Sequence, residues 1–180
     1  MHSYNFIGPG WASAAASPGN LFKFYAGEGG IHVPLIISGP GVPAVRVNDR
    51  VFVTDITPTL LDRAGVAGPA PADSVSINGV SMSSLLNGAG PARAADTPIG
   101  IEVSGNSALF RGDFKLTRNT PPYGDNVWRL YNIATDPGET RNLADEQPAL
   151  FQSMRDEYAA YARANGVVEL PTDYDVQRQV

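Results

Sequence analysis

Four short runs decide the fold: Ile99-Gly100-Ile101-Glu102-Val103, Ala108-Leu109-Phe110-Arg111, Phe114-Lys115-Leu116-Thr117-Arg118 and Val127-Trp128-Arg129-Leu130-Tyr131. Each is short and bounded by turn residues, and Gly112-Asp113 offers a tight turn between the second and third. The spacing predicts a small antiparallel sheet of about four strands. A helix should follow, opened by Pro148, whose missing N–H costs nothing in a first turn, and stopped by Asn165-Gly166. Leu150, Met154, Tyr158 and Tyr161 fall on one stripe of it, with Phe151 and Ala162 beside them, so this face should cover the sheet. The fold class expected is α+β, a C-terminal antiparallel sheet packed by a long helix.

Upstream the pattern changes. Val33-Pro34-Leu35-Ile36-Ile37-Ser38 is a continuous apolar run ended by Gly39-Pro40-Gly41, as in a strand buried on both faces of an α/β sheet. Thr57 to Ala64 reads as a helix, with Thr54 or Asp55 as its cap and Gly65 at its end. This strand and helix read as the remnant of a larger α/β sheet. Before them, 3–19 is rich in Gly, Ala, Ser and Pro and reads as an irregular arm with one helical turn. Residues 67–97 read as a connector with one short helix at 81–86. The domain organisation expected is 1–66, the α/β remnant; 67–97, the connector; 98–170, the sheet and helix; and 171–180, a polar tail.

Composition excludes several classes. A net charge of −5 without a basic cluster removes the cationic footprint that nucleic-acid binding requires. The absence of cysteine removes disulfides, thiolate metal sites and thiol nucleophiles. No segment reaches membrane-spanning length and the first residues carry no leader pattern, so a soluble chain is expected.

Three segments carry a resemblance. Leu130-Tyr131-Asn132-Ile133-Ala134-Thr135-Asp136-Pro137-Gly138-Glu139-Thr140-Arg141-Asn142-Leu143-Ala144, with Pro148 after it, resembles the "LYDL, DP-x-E, xx-NLA" signature near the C-terminus of type I arylsulfatases. Gly8-Pro9-Gly10-Trp11-Ala12, Leu21-Phe22-Lys23 and Glu28-Gly29-Gly30-Ile31-His32-Val33-Pro34 resemble that family's "GPxWA, L[FY]K, EGGIRVP". Val53 to Val66 resembles its "D-[IV]-x-PT-[LI]-LDLAGV" helix. The matches cover nearly the whole chain and about the last third of a sulfatase, of the alkaline-phosphatase-like superfamily. The resemblance implies sulfate ester hydrolysis for the parent, in bacterial cytoplasm or periplasm. It also implies a formylglycine made within Cys/Ser-x-Pro-x-Arg and a cation held by Asp and Asn pairs, and none of those segments occurs in these 180 residues. The family's mechanism therefore cannot run on this inventory alone.

What carries over is Lys23, whose family counterpart contacts the substrate sulfate; an ammonium there offsets charge as the ester bond breaks. Without its constellation Lys23 also reads as an ordinary solvated lysine. His32 stands where the family has Arg, and is a candidate general base or metal ligand. His32, His2 and Glu28 together could hold a divalent metal, zinc or calcium, although the glycines between Glu28 and His32 deny them the helical pairing of a metal motif, and a structural histidine is the plainer reading. Three functions stay open: a non-catalytic sulfatase fragment; a promiscuous hydrolase of sulfate or phosphate esters, at a site newly assembled in a homodimer; and a self-associating binding module. The apolar strand and helix predict a dimer through Ile31, Leu35, Ile37 and Leu60, with Phe22, Phe24 and Tyr25.

Overall fold

The structure is a computed structural model that describes residues 7–66 and 77–171. It divides into two units, one of residues 1–33 with 96–180 and one of residues 34–95.

In the first unit, β1 (Ile99–Val103), β2 (Asn106–Arg111), β3 (Phe114–Arg118) and β4 (Arg129–Asn132) form one antiparallel sheet in the order β1-β2-β3-β4. The expected hairpin forms at Gly112, whose φ of 56° suits a residue without Cβ. Registers Leu109↔Leu116 and Leu116↔Leu130 stack three leucines on one face. There they meet Met154 and Tyr158 of the long helix Pro148–Ala164, and all five are buried. The Tyr158 hydroxyl donates to Ser107 Oγ at 2.8 Å, which satisfies that polar group within the core. Leu143, four residues after Glu139, packs against the same cluster, and Asn142 Oδ1 accepts from the Leu130 and Ala144 amides. The sheet and helix expected from the sequence are thus present, with β2 starting two residues earlier and β4 two residues later than read.

Alternation sends Phe110, Lys115, Thr117, Arg129 and Tyr131 to the opposite face. Residues 24–28 cover part of that face through three long-range bonds. Asn106 Nδ2 donates to Phe24 O at 2.8 Å, the Ala26 amide donates to Asn119 Oδ1 at 2.8 Å, and the Glu28 amide donates to Glu139 Oε2 at 3.0 Å. Tyr25 is buried by this docking, edge-on to Phe22 and Tyr123, so it is not free for the intermolecular interface expected of it.

The arm before this loop is more ordered than read: α1 spans Gly8–Ala16, begun by a proline in its first turn and continued by alanines with high helix propensity. The run Val33–Ser38 is not a strand. It has no ladder partner among the described residues, and Val33 and Ile36 are 76% and 91% exposed. A strand's main-chain groups need a neighbour to pair with, and the four strands among the described residues pair with one another.

In the second unit, a 3-10 turn (Val53–Asp55) leads into a helix (Ile56–Arg63), and a one-turn helix (Ser83–Leu86) follows. Asp55 sits at their centre, fully buried, and accepts from the Phe52 amide at 2.8 Å, the Val80 amide at 2.9 Å and the Arg93 guanidinium through both oxygens. It therefore joins segments instead of acting as the side-chain cap expected of it, since it makes no cap bond to the helix. Met82 is the buried large apolar residue of this unit among the described residues, while Leu35, Ile37 and Leu60 are exposed.

Candidate functional site

The glycine-rich loop is shaped by backbone contact. A Cβ on Gly29 would lie 2.2 Å from Leu21 O and one on Gly30 would lie 2.1 Å from Tyr25 O, so neither position accepts a side chain without moving main chain. The Gly29 amide donates to Asn20 O at 2.8 Å, and Glu28 begins a single helical turn that ends at Ile31. That turn brings together two of the residues expected to act. His32 Nδ1 lies 3.1 Å from Glu28 Oε2, so the glycines between them do not prevent a one-turn pairing after all.

Glu28 is one corner of a buried ionic cluster. Lys115 Nζ lies 2.8 Å from Glu28 Oε1 and 2.8 Å from Glu139 Oε1, and all three side chains are nearly or fully removed from water. The ammonium also faces the Phe110 ring at 5.3 Å. Burial pushes the Glu139 carboxyl above its ordinary value, and the attraction of Lys115 only partly offsets that. One cation thus serves two buried carboxylates, with His32 reaching the cluster from the exposed side.

Lys23 is exposed, with its ammonium 5.1 Å from the centre of the Phe24 ring. It stands on the same loop as Glu28 and His32 but forms no ion pair with Glu28, whose carboxylate meets His32 and Lys115. No group of three histidine, cysteine or acidic side chains placed to share a metal ion occurs among the described residues. His2, the third ligand considered, lies outside them. Lys115 and Glu139 are the residues whose joint role was missed. The signal available was a lysine alternating with Phe114 and Leu116, in a strand whose far face would be covered only if something distant docked on it.

No helix among the described residues is long and apolar enough to cross a membrane. No protein-family profile matches the chain. It is 31% identical over 179 residues to an uncharacterized sulfatase of Schizosaccharomyces pombe, a match that covers 96% of this chain and 32% of that protein. It is 29% identical over 150 residues to arylsulfatase K of Xenopus laevis, covering 74% of this chain and 26% of that protein. The fold is similar to that of Ps i-CgsB crystallised with k-i-k-neocarrahexaose, with a TM-score of 0.63 over 91% of this chain and 35% of that one, at 20% identity. The chain thus spans about a quarter to a third of the length of the curated relatives it matches.

Proposed function

The chain belongs to the sulfatases, and from that premise we propose that it supplies the C-terminal part of a sulfate ester hydrolase and acts by presenting Lys23 on a rigid loop. The observation that carries this is the Lys115–Glu28–Glu139 cluster, which ties the glycine-rich loop to the antiparallel sheet. A loop held at its own backbone and at a buried ion pair keeps its ammonium placed without reorganisation when charge develops on a substrate. The nucleophile and the metal segments come, on this reading, from sulfatase sequence outside these 180 residues.

The test is to assay the purified chain, and a chimera in which it replaces the matching segment of the S. pombe sulfatase, on 4-nitrophenyl sulfate. The chain alone should give no turnover. The chimera should turn over, and Lys23→Ala should lower its kcat by about 10²–10³-fold, the usual loss on removing one charge-stabilising donor. Full activity in the Lys23→Ala chimera would refute the role given to Lys23.

The His32–Glu28 pair favours a second reading, a promiscuous hydrolase of activated sulfate or phosphate esters at a site completed between copies. An exposed imidazole held at Nδ1 by a carboxylate leaves Nε2 turned outward, the arrangement of a general base or a metal ligand. In the same assay, chelator-sensitive turnover by the chain alone, abolished in His32→Ala, would establish this reading over the first.

Self-association is proposed on a separate observation: Leu35, Ile36, Ile37 and Leu60 are exposed in a unit with little apolar core of its own. Sedimentation at micromolar concentration should give a dimer, and Ile36→Lys with Leu60→Lys should return it to monomer. A wild-type monomer under those conditions rules the dimer out.

A further inference from the structure

We propose that Asn106 is the positioning residue of the Lys23 loop, its buried side-chain amide holding in place the turn that presents the ammonium. The role given to Lys23 rests on the sulfatase reading above, whereas the clamp on the turn stands on the geometry of this chain alone. The Tyr25 amide donates to Phe22 O at 3.1 Å, which closes a four-residue turn with Lys23 and Phe24 at its two central positions. Phe24 takes φ 83°, the angle a type II turn requires at its third residue and one that glycine ordinarily supplies. A Cβ is crowded by its own backbone there, so a phenylalanine keeps the angle only where its surroundings impose it. The side chain has a use in that place. Its ring lies 5.1 Å from the Lys23 ammonium, a contact that glycine would not make. Turn and ring together fix where the ammonium stands.

Asn106 is fully buried at the start of β2, opposite Val103 across a tight turn through Ser104 and Gly105, whose φ values of 51° and 82° suit a primed hairpin. Its Oδ1 accepts from the Thr120 amide at 2.8 Å and from the Thr120 hydroxyl at 3.2 Å. A backbone amide can only donate, so this contact fixes which way the side chain points. Nδ2 therefore faces the loop. It donates to Phe24 O at 2.8 Å, its shortest contact, against 3.2 Å and 3.4 Å to Val103 O and Ser104 O of its own hairpin. The bond thus joins positions 82 residues apart and grips the carbonyl of the residue whose φ is strained.

Asn119 Oδ1 holds the Ala26 amide at 2.8 Å, so the chain is pinned on both sides of the buried Tyr25. Of the two bonds, the one from Asn106 reaches the strained residue itself. Its chemistry is exacting. An aspartate there would still accept from Thr120 but would set a second acceptor against the Phe24 carbonyl, at almost unchanged volume. The substitution therefore reverses one hydrogen bond and leaves the rest of the packing in place.

The first test is hydrogen exchange on the full chain. In Asn106→Asp the Tyr25 amide should exchange about ten-fold faster or more, the loss of one buried hydrogen bond, while residues 108–117 keep their protection. Adding Phe24→Gly should return most of the Tyr25 protection, because glycine takes the angle unaided. Phe24→Gly alone should leave Tyr25 as protected as in the wild type, and it decides the matter should Asn106→Asp not fold. Unchanged Tyr25 exchange in Asn106→Asp, no recovery in the double variant, or loss of protection in Phe24→Gly would each overturn the clamp. The second test separates positioning from stability, in the chimera on 4-nitrophenyl sulfate. Asn106→Asp should lower kcat about ten-fold, less than Lys23→Ala does, since the ammonium is displaced and not lost. In the Lys23→Ala chimera it should change nothing further. An equal loss in both backgrounds would overturn the positioning role. An inert chimera, or full activity in Lys23→Ala, would sink the reading above and leave the clamp to the exchange result; a Lys23→Ala loss with Tyr25 still protected in Asn106→Asp would do the reverse.

Discussion

Lys115→Met should lower the stability of the sheet unit by about 3–5 kcal/mol at neutral pH, the cost of removing one partner from a buried ion pair. The side chain is fully buried, and its removal leaves Glu28 and Glu139 facing each other without a cation. Methionine fills most of the volume, so the loss reports charge rather than a cavity. The pH dependence separates this from ordinary packing damage. Glu139 already lies above its ordinary value of 4.5 because burial outweighs the pull of Lys115, and removing the ammonium raises it further. A carboxyl raised in the folded state contributes stability that is present below its unfolded value and is lost as pH rises through the folded one. The deficit of Lys115→Met should thus narrow on going from about pH 7.5 to about pH 5, and adding Glu139→Gln should recover part of it at neutral pH. Urea unfolding followed by circular dichroism measures both. A deficit that is the same at both pH values would show that the cluster is not what holds the loop.

The same cluster shows how far the sequence can be read. The sheet and the helix were legible because their signals are local: short runs with turn residues between them, and a stripe at helical spacing closed by Pro148 and Asn165-Gly166. Lys115 was not. On sequence it is a lysine alternating with core residues, which reads as a solvated face, and what covers it is Glu28, 87 residues away. Glu139 lies in a turn, yet the amide it accepts from belongs to Glu28 rather than to that turn. Val33–Ser38 failed for the converse reason. Its composition is that of a buried strand, and composition cannot say whether a neighbour exists to bury it. Of the candidate site, the sequence located the loop and its residues Lys23, Glu28 and His32, and the geometry added what fixes that loop to the sheet.

Asp55→Ala should release the other unit while leaving the sheet intact. In that unit a buried carboxylate does what apolar residues do elsewhere: Asp55 binds the Phe52 and Val80 amides and the Arg93 guanidinium, and so ties the helix Ile56–Arg63 to the segment that precedes Ser83–Leu86. Alanine leaves two amides without acceptors and a largely buried arginine without a counter-charge, since the Arg93 side chain is 13% exposed. The expected cost is about 3 kcal/mol, toward the low end for a broken buried pair because Arg93 keeps some contact with water. With Met82 as its buried large apolar residue among those described, the unit has little to offset such a loss. Hydrogen exchange should show protection lost over residues 53–63 and retained over 99–118. The acid response should run opposite to that of the sheet unit. Burial raises Asp55, but the bonds from Arg93 and the two amides outweigh it and hold the carboxyl below 3.8. Its contribution is present above that unfolded value and is lost as pH falls through the lowered one. Acid should therefore erode protection at 53–63 in the wild type while Glu139 gains from it, and Asp55→Ala should abolish the acid dependence of the first segment alone. Unchanged exchange over 53–63 in the variant would show that Arg93 and the amides find other partners and that Asp55 does not organise this unit.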